Sequence, residues 1–320
     1  MRSGESGYLH RAYAASFDGI ATPRALPAAG AFFLERGIPG SELRDGMGCY
    51  PLLCCRRWEG LHDDLDALAA RLVSFTAVTD PFGAFEVGDL RRAFDIVRPH
   101  KVHYVTDLAG TARVPRSRSH RRNIGAATRA VAVDLVQDAA VLADAWVALY
   151  GQLVERHRLT ALHAFSSRAL RLQLEVPGLK MFSATVGGAL VGLHLWYVQG
   201  DVAHAHLGAT SARGHELMAS YALYAVAIEH LRHQVRWLAL GSGAGMPNDP
   251  RADGLRRFKE GWATGTRQAY LCGRVLQPDS YRRLAGRCDR RDADYFPAYR
   301  RGELARMPGD GGDGRPGAER

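Results

Sequence analysis

The stretch MFSATVGGALVGLHLWYVQGDVAHAHLGAT, residues 181–210, decides the fold of this chain. It consists of three runs rich in aliphatic and aromatic side chains, which the short breaks GG and QGD separate. β-Branched and aromatic residues favour strands, and glycine-containing breaks favour tight hairpin turns. The stretch therefore predicts a three-stranded meander with antiparallel strands.

A long helix is predicted directly after the meander. Five apolar or aromatic residues recur there at spacings of 4, 3, 4 and 3, which places them on one face of a helix over 215–233: Leu217, Tyr221, Tyr224, Ile228 and Leu231. We interpret that face as core. Beyond it, the sequence predicts a strand in VRWLALGSGAG, a short helix in GLRRFKEG and a last strand in TRQAYLCGRVL, residues 266–276.

The segments before the meander mix strand and helix signals in the same way. The predicted elements from 99 onward are a strand at 99–108, a helix starting near Ser117, a strand at 131–136, a helix at 139–158 and a short helix in SSRALRLQL. Nearer the start, GAFFLE, CYPLLCC and RLVSFTAV have strand composition, and HDDLDALAARL between the last two is helical. This order is a mixed α/β layer and not the regular βαβ alternation of a doubly wound fold.

The composition narrows the class of protein. The 320 residues carry a net charge of +9 with only three lysines, so arginine supplies almost all of the positive charge and favours anionic partners; an arginine-rich genome explains the same excess equally well. No apolar run is long enough for a membrane span or a secretory signal, which predicts a soluble, cytoplasmic protein. The five cysteines are odd in number and form no CxxC pair, which argues against a disulfide framework and a zinc site.

The element order is similar to that of the acetyltransferase (GNAT) fold. Within it, SHRRNIGAA at 119–127, the meander, the long helix and GLRRFKEGWAT at 254–264 together resemble the Fem-type aminoacyltransferases, over roughly residues 100–277. This resemblance implies tandem GNAT-like domains with mixed, largely antiparallel sheets: a degenerate domain at 1–125, a second at 126–280, and a C-terminal extension at 281–320 that is disordered from about 305. It also implies an acyltransferase (EC 2.3) that moves an amino acid from aminoacyl-tRNA to an amine of a cell-wall precursor or natural-product intermediate.

Lys259 is the leading catalytic candidate. In a chain that uses arginine so heavily, a retained lysine suggests a need for a compact charge with movable donors, although a solvated surface cation is the alternative. The resemblance places catalysis and handling of the tRNA end on Phe258 and Lys259. A fixed ammonium stabilises the charge that develops when an amine attacks an ester, and adenosine can stack on an aromatic ring. Arg256 and Arg257 would then lie near phosphates.

A second basic cluster, RSRSHRRN at 116–123, lies at the predicted start of a helix. Guanidinium groups and backbone donors there are suited to phosphates of RNA or of a nucleotide-linked acceptor, and a solvated basic face is the alternative. The candidate residues are Arg116, Arg118, His120, Arg121 and Arg122.

Proton removal from the attacking amine is assigned to Asp107, because strand ends in such folds face the cleft. A turn-capping role for Asp107 is the local alternative. Tyr197 and Tyr221 are candidate relay or binding groups that are also compatible with core positions. Substrate-assisted proton transfer stays open as well.

Two tempting cofactor signals are weak. His204 and His206 share a strand face but have no third metal ligand placed with them. GSGAG at 241–245 does not match the dinucleotide fingerprint. We therefore predict no metal and no resident cofactor.

The segment GATSARGHELMAS, residues 208–220, corresponds to the pyrophosphate loop of acetyl-CoA-dependent GNAT enzymes but lacks its glycine spacing. This favours aminoacyl-tRNA as donor and co-substrate, with an acyl-CoA-dependent N-acetyltransferase as the alternative. A non-catalytic double-GNAT protein that binds RNA or another anion is a third possibility. The expected partners are aminoacyl-tRNA and a small-molecule amine, without a membrane; the sequence determines neither the acyl group nor the oligomeric state.

Overall fold

The computed structural model describes residues 5–109, 117–159, 164–243, 252–286 and 295–303. These residues form a mixed sheet of eleven strands, in the spatial order β1-β2-β3-β4-β11-β5-β10-β9-β8-β7-β6. In chain order the strands are β1 Thr22–Leu26, β2 Ala31–Gly37, β3 Arg44–Gly48, β4 Ser74–Val78, β5 Ile96–Asp107, β6 Ala132–Val136, β7 Leu179–Val186, β8 Ala189–Gln199, β9 Val202–Thr210, β10 Trp237–Ser242 and β11 Gly265–Val275.

Helices cover both faces of this sheet. They are α1 Arg11–Ala15, α2 Leu61–Ala67, α3 Val87–Ala93, α4 Arg118–Ala130, α5 Ala143–His157, α6 Ser167–Leu174, α7 Ala212–Glu216, α8 Ala219–Leu231, α9 Ala252–Glu260 and α10 Pro278–Ala285. In this part of the chain, no helix has both the length and the apolar character that crossing a bilayer requires.

The predicted meander is confirmed as β7, β8 and β9, with antiparallel pairing throughout. Glycines with positive φ form both turns, Gly187 and Gly188 in the first and Gly200 in the second. Most other strand pairs are also antiparallel; the exceptions are β3 with β4 and β9 with β10. The predicted class, a mixed and largely antiparallel α/β fold, is therefore confirmed.

The predicted helix over 215–233 is two helices. Met218 adopts a left-handed conformation with φ of 56°, which ends α7 and starts α8. Leu217 lies in this break and is partly buried, whereas Ile228 and Leu231 are buried as expected for core. The apolar face of α8 packs on the strands of the second half and on α4.

The first half departs further from the sequence interpretation. CYPLLCC is not a regular strand: only a bridge between Leu53 and Thr79 forms there. The actual strands β1 and β3 were missed, because TPRAL contains a proline and RDGMG is polar and glycine-rich. The helix and strand after CYPLLCC are present as α2 and β4.

The sheet is continuous across the predicted domain boundary. β11 lies between β4 and β5, so a late strand is inserted among strands of the first half. The N-terminal residues Tyr8, Tyr13 and Phe17 pack with Trp146 and Leu170 of the second half. The division at 125 stays a prediction, and the tail from about 305 lies outside the described residues.

Candidate active site

The parallel strands β9 and β10 separate partway along their length. They pair from Trp237 with Val202 to Ala239 with His204, and among the described residues they do not pair beyond that point. β9 continues to Thr210, and a bulge between Ala239 and Gly241 redirects β10. We call the gap between the two diverging strand ends the wedge. It interrupts the sheet where backbone groups and side chains from both faces can meet.

Lys259 reaches the edge of the wedge from α9. Its Nζ donates a hydrogen bond of 2.6 Å to the carbonyl oxygen of Ser242, near the end of β10. Gly241 has φ of 77°, and a Cβ there would lie 3.1 Å from Nζ, so glycine provides both the backbone conformation and the room. The residue is half-buried. Burial lowers the pKa of Lys259 to about 8, with a smaller contribution from the charge of Lys101.

Three buried histidines surround this region, and two of them were not singled out from the sequence. Burial, followed by the charge of Lys259, lowers the pKa values of His103 and His194 to about 3, and burial also lowers that of His204. All three rings are therefore neutral at pH 7. Nδ1 of His194 and Nε2 of His204 are buried without a hydrogen-bond partner in the described part of the chain. Such atoms are costly in a folded core, and they are free to hydrogen-bond a water molecule or a polar ligand.

Gly208 of β9 makes room for one of these rings. A Cβ at position 208 would lie 2.3 Å from Cδ2 of His194. His194 also packs against Trp196 and Tyr224, with ring centroids 5.1 and 4.7 Å away. The two diverging strands thus each carry a glycine, Gly208 and Gly241, that accommodates a polar side chain at the wedge.

The two basic clusters of the sequence lie side by side. His120 of α4 is 4 % exposed, and its ring centroid lies 4.8 Å from Trp262 and 6.1 Å from Phe258. A Cβ at Gly261 would lie 2.2 Å from Nδ1 of His120, so the glycine of RFKEG allows α4 to approach the end of α9. The predicted residue Tyr221 packs against Phe258 at 4.9 Å.

The arginines flank this aromatic cluster on the surface. Arg118, Arg121 and Arg122 are exposed on α4, and Arg256 and Arg257 are exposed on α9. Arg256 pairs with Glu260 at 3.3 Å. Arg116 lies outside the described residues. The structure therefore brings Lys259, Phe258, Tyr221, His120 and the five described arginines to one end of the α4–α9 pair.

Asp107 is not part of this group. Its carboxylate accepts hydrogen bonds from Arg236 at 3.1 and 3.3 Å and from the backbone N–H of Ala109. Arg236 and that backbone bond hold the pKa of Asp107 below its ordinary value. It lies four residues along β5 from His103, which is opposite Ser242, a separation of about 13 Å. These contacts explain Asp107 as a turn-capping ion pair, and its catalytic role stays a prediction without a supporting contact.

Tyr197 belongs to the interior. It is fully buried, and its hydroxyl donates to the backbone oxygen of Gln173 at 2.7 Å. His206 packs on the Tyr197 ring at 4.5 Å, and its two ring nitrogens bond Tyr8 and Gln173. These partners favour the core interpretation of Tyr197. No group of three potential metal ligands occurs within the described ranges, and the prediction of no metal or resident cofactor is not tested.

Asp80 is a carboxylate near the wedge that the sequence interpretation missed. It is 5 % exposed, and its charge raises the pKa of His204 against the stronger effect of burial. Its two oxygens accept from the backbone N–H of Phe82 at 2.9 Å and from Sγ of Cys54 at 3.5 Å. The segment TDPFG that holds Asp80 follows directly after β4. A buried-strand end followed by Asp-Pro was the available signal.

At the start of α7, residues of the segment 208–220 cap the helix and pack against β8. The Ser211 side chain accepts a hydrogen bond from the backbone N–H of Gly214 at 3.1 Å. A Cβ at Gly214 would lie 2.2 Å from the carbonyl oxygen of Val191, so this glycine serves close packing of α7 on β8. One backbone donor of this segment is thus occupied by the chain's own hydroxyl.

Comparison with known proteins agrees with this architecture. Residues 115–260 match the family described as "Acetyltransferase (GNAT) domain". A search of curated proteins finds no match. Among solved structures, FemX is 12% identical with a TM-score of 0.64, covering 88% of this chain and 96% of its own.

Two further structures have similar folds. The C-terminal domain of a putative lysylphosphatidylglycerol synthetase from Agrobacterium fabrum is 14% identical with a TM-score of 0.61, covering 83% of this chain and 88% of its own. L-PGS from Bacillus licheniformis is 13% identical with a TM-score of 0.53, covering 86% and 94%. The matched domain supports the prediction of an acyltransferase. The chain thus has the Fem-like double-GNAT fold that the sequence predicted, and its residues 115–260 are similar to the acetyltransferase (GNAT) domain family.

Proposed function

We propose that the protein is an N-acyltransferase that forms an amide bond by moving an aminoacyl group from aminoacyl-tRNA to an amine acceptor. The observation that carries this proposal is the Lys259 ammonium, held by the Ser242 carbonyl at the wedge beside exposed arginines. The acceptor is a cell-wall precursor or a natural-product intermediate. The reaction is cytoplasmic, where charged tRNA is available.

The proposed reaction is the aminolysis of the aminoacyl ester. The amine nitrogen attacks the ester carbonyl carbon, the C–N bond forms, and the bond from that carbon to the ribose oxygen breaks. The proton that the amine loses is equivalent to the one that the departing ribose hydroxyl gains. The Lys259 ammonium stabilises the negative charge first on the carbonyl oxygen and then on the ribose oxygen.

The amine needs a group that holds or receives its proton. We assign this role to Asp80 acting with His204, because Asp80 is a buried carboxylate whose charge reaches the neutral His204 ring. His204 has an unpartnered Nε2, which a substrate N–H can use. This pair is offered as an alternative to Asp107, whose carboxylate Arg236 already occupies.

The donor is inferred from charge and from the segment 208–220. Arginines of α4 and α9 flank Phe258, which supports a ligand that combines phosphates with a base able to stack. Gly214, whose N–H bonds Ser211, is less available to a coenzyme A pyrophosphate. An acyl-CoA-dependent N-acetyltransferase is the second candidate, which the GNAT domain match favours.

A donor assay separates these possibilities. Purified protein is incubated with a pooled amine acceptor set and either total charged tRNA, with and without ribonuclease, or a panel of acyl-CoA donors. We expect amide product only with charged tRNA, abolished by ribonuclease. Lys180→Ala serves as the matched control for Lys259→Ala, since both remove one of the three lysines. Product from acyl-CoA alone would establish the second candidate, and RNA binding without any product would establish a non-catalytic protein.

A further inference from the structure

Two of the chain's three lysines converge on the wedge. Lys101 lies on β5, two residues from His103, and His103 is the residue opposite Ser242. Residues two apart on a strand share a face about 6.6 Å apart, so Lys101 and His103 point to the same side of the sheet. The ammonium of Lys259 bonds the Ser242 carbonyl, within one strand spacing of His103. The charge of Lys101 is close enough to lower the pKa of Lys259.

This arrangement is electrostatically unfavourable for the empty protein. Lys101 and Lys259 are both half-buried, and within the described residues neither forms an ion pair with a carboxylate. Two like charges in a partly desolvated site repel each other and lose hydration. The charge of Asp80 acts on His204, while Asp107 is bound to Arg236. A bound anion would offset this cost.

The side chains on β5 and β11 beside the two lysines offer hydrogen bonds or positive charge, while the buried carboxylate of Asp80 acts on His204. His103 is 7 % exposed, and burial, followed by the charge of Lys259, lowers its pKa to about 3, so its neutral ring can donate one hydrogen bond. His100, which is exposed, and Arg267, which is opposite His103 on β11, add further donors or positive charge.

The face of the sheet on which Lys101 lies indicates that this site binds the amine acceptor and not the aminoacyl donor. Tyr104 and Thr106 of β5 bond Glu260 and the backbone of Trp262, so their face is the one that α9 covers. Lys101 and His103 alternate with them and lie on the opposite face. The arginines proposed for the donor are on α4 and α9. A ligand held by Lys101 therefore approaches from the side away from the proposed donor.

We propose that Lys101 and Lys259, with His103, bind an oxyanion of the amine acceptor, either a carboxylate or a phosphate. The site accordingly selects acceptors that carry negative charge near the reacting nitrogen. The assignment to the acceptor rests on the proposed function, while the existence of the anion site does not. Lys101 is a binding residue in this proposal, and Lys259 serves both the anion and the reacting ester.

The three lysines make a direct test possible. Protein labelled with ¹³C at the lysine ε-carbon gives one NMR resonance for each of Lys101, Lys180 and Lys259, assigned with single Lys→Arg variants. Inorganic phosphate and acetate are titrated separately, with chloride keeping the ionic strength constant. We expect the resonances of Lys101 and Lys259 to move together and saturate, while that of Lys180 stays in place.

The bound anion also changes proton affinity. An anion favours the ammonium form, so the pKa of Lys259 should rise from about 8 by about one unit when the site is filled. Lys101→Met should abolish the effect of the anion on Lys259, and Lys101→Arg should retain part of it. Saturation by phosphate alone assigns a phosphorylated acceptor, and saturation by acetate assigns a carboxylate.

Equal movement of all three lysine resonances, or movement of Lys259 without Lys101, would overturn the proposal. An intact Lys180 resonance shows that the Lys101→Met variant is folded. Because this readout needs no turnover, a negative donor assay leaves the anion site standing. Conversely, amide formation with no lysine response would leave the proposed function standing without this site.

Discussion

Each half of the sheet contains one parallel strand pair joined through a helical crossover, and the two pairs end in opposite ways. In the first half, β3 and β4 pair at Gly46 with Phe75 and at Met47 with Thr76. The chain after β3 then returns: the Leu53 N–H donates to Val78, and Leu53 accepts from Asp80. In the second half, β9 and β10 separate and leave the wedge.

The side chains at the ends of the two parallel strand pairs also differ: an apolar residue fills the end of the first pair, and polar groups lie at the end of the second. Leu53 is 1 % exposed, and a Cβ at Gly48 would lie 2.9 Å from its Cβ, so an apolar residue closes the gap tightly. At the wedge, His194 and His204 instead have buried nitrogens without partners in the described chain. The first crossover is closed by apolar packing, whereas the second retains buried polar groups that lack partners in the described chain, as a ligand-binding site would.

Removing the wedge ammonium is expected to have the largest effect. Lys259→Ala should lower kcat by about 10²–10³-fold, because a preorganised charge at the developing alkoxide contributes on that scale. Its free energy of unfolding should not fall by more than about 1 kcal/mol, because loss of the hydrogen bond to Ser242 is offset by removal of a desolvated cation. Steady-state kinetics and urea denaturation, each beside Lys180→Ala, provide the measurements. Equal turnover in the Lys259 and Lys180 variants would eliminate the catalytic assignment.

Removing the apolar side chain that fills the end of the β3–β4 pair should lower stability without changing turnover. Leu53→Ala removes a fully packed side chain and should lower the free energy of unfolding by about 2–5 kcal/mol. Under conditions where the variant is folded, its kcat should match that of the parent protein. The measurement pairs a urea titration with kinetics on the same preparation. A selective loss of kcat without loss of stability would show that the first half contributes to the site directly.

The converse change at the wedge should stabilise the protein. His194→Leu replaces an unpartnered buried nitrogen with an apolar group of similar size, which should raise the free energy of unfolding by about 1 kcal/mol. The same variant should have reduced turnover, because the ring borders the Lys259 charge. Urea denaturation tests the first effect and kinetics the second. Destabilisation would indicate that His194 is an ordinary core residue.

How far the sequence predicts this molecule follows from the kind of signal each region contains. The meander and its glycine turns were predictable because hydrophobic runs and breaks are local. CYPLLCC has the composition of a strand but acts as the closure of the first crossover, which depends on its contact with Thr79. Met218 could not be expected to break the helix, since nothing in its residue type favours positive φ.

The candidate site likewise combines features that the local sequence reveals with features that depend on contacts between distant residues. RFKEG and RSRSHRRN were recognisable as residue clusters, and Lys259 was notable for its rarity. The convergence of Lys101 and His103 with Lys259 depends on the antiparallel register of β5 with β10, which separates partners by more than 130 positions. Asp107 was favoured because it ends a strand. The sequence alone does not show that Asp107 lies opposite Trp237, at the other end of β10 from Ser242; only the register of β5 with β10 shows this.

The pH dependence of turnover should show a change of moderate size that arises at the wedge and not in the first half of the sheet. The folded-state pKa of Lys259 is lowered from 10.5 to about 8, so the reactive ammonium is present below about pH 8 and is lost as pH rises through it. Turnover should therefore fall on the alkaline side with a midpoint near 8. Lys101→Met removes a neighbouring positive charge and should move this midpoint upward, as measured from kcat against pH. An unmoved midpoint would assign the alkaline limb to another group.

The same shift has a consequence for stability with a definite sign. Between about pH 8 and 10.5 the unfolded chain binds more protons at this lysine than the folded protein does. The penalty of the desolvated ammonium is thus fully present below pH 8 and is relieved as pH rises across that window. Urea denaturation of the parent should show this relief relative to Lys259→Met, which lacks the titrating group.

Surface arginines of α4 should have the smallest individual effects. Arg118 and Arg122 are exposed, so replacing either with glutamine removes at most one phosphate contact and leaves the packing of His120 in place. For a single-stranded end, each lost contact should reduce the slope of log affinity against log salt by about 0.7, with a few-fold weaker binding at moderate salt. Filter binding of charged tRNA across a salt series gives the slope, with Arg91→Gln on α3 of the first half as the matched control. If the α3 variant changes the slope as much as the α4 variants do, RNA binds through diffuse charge and the wedge side holds no preferred RNA surface.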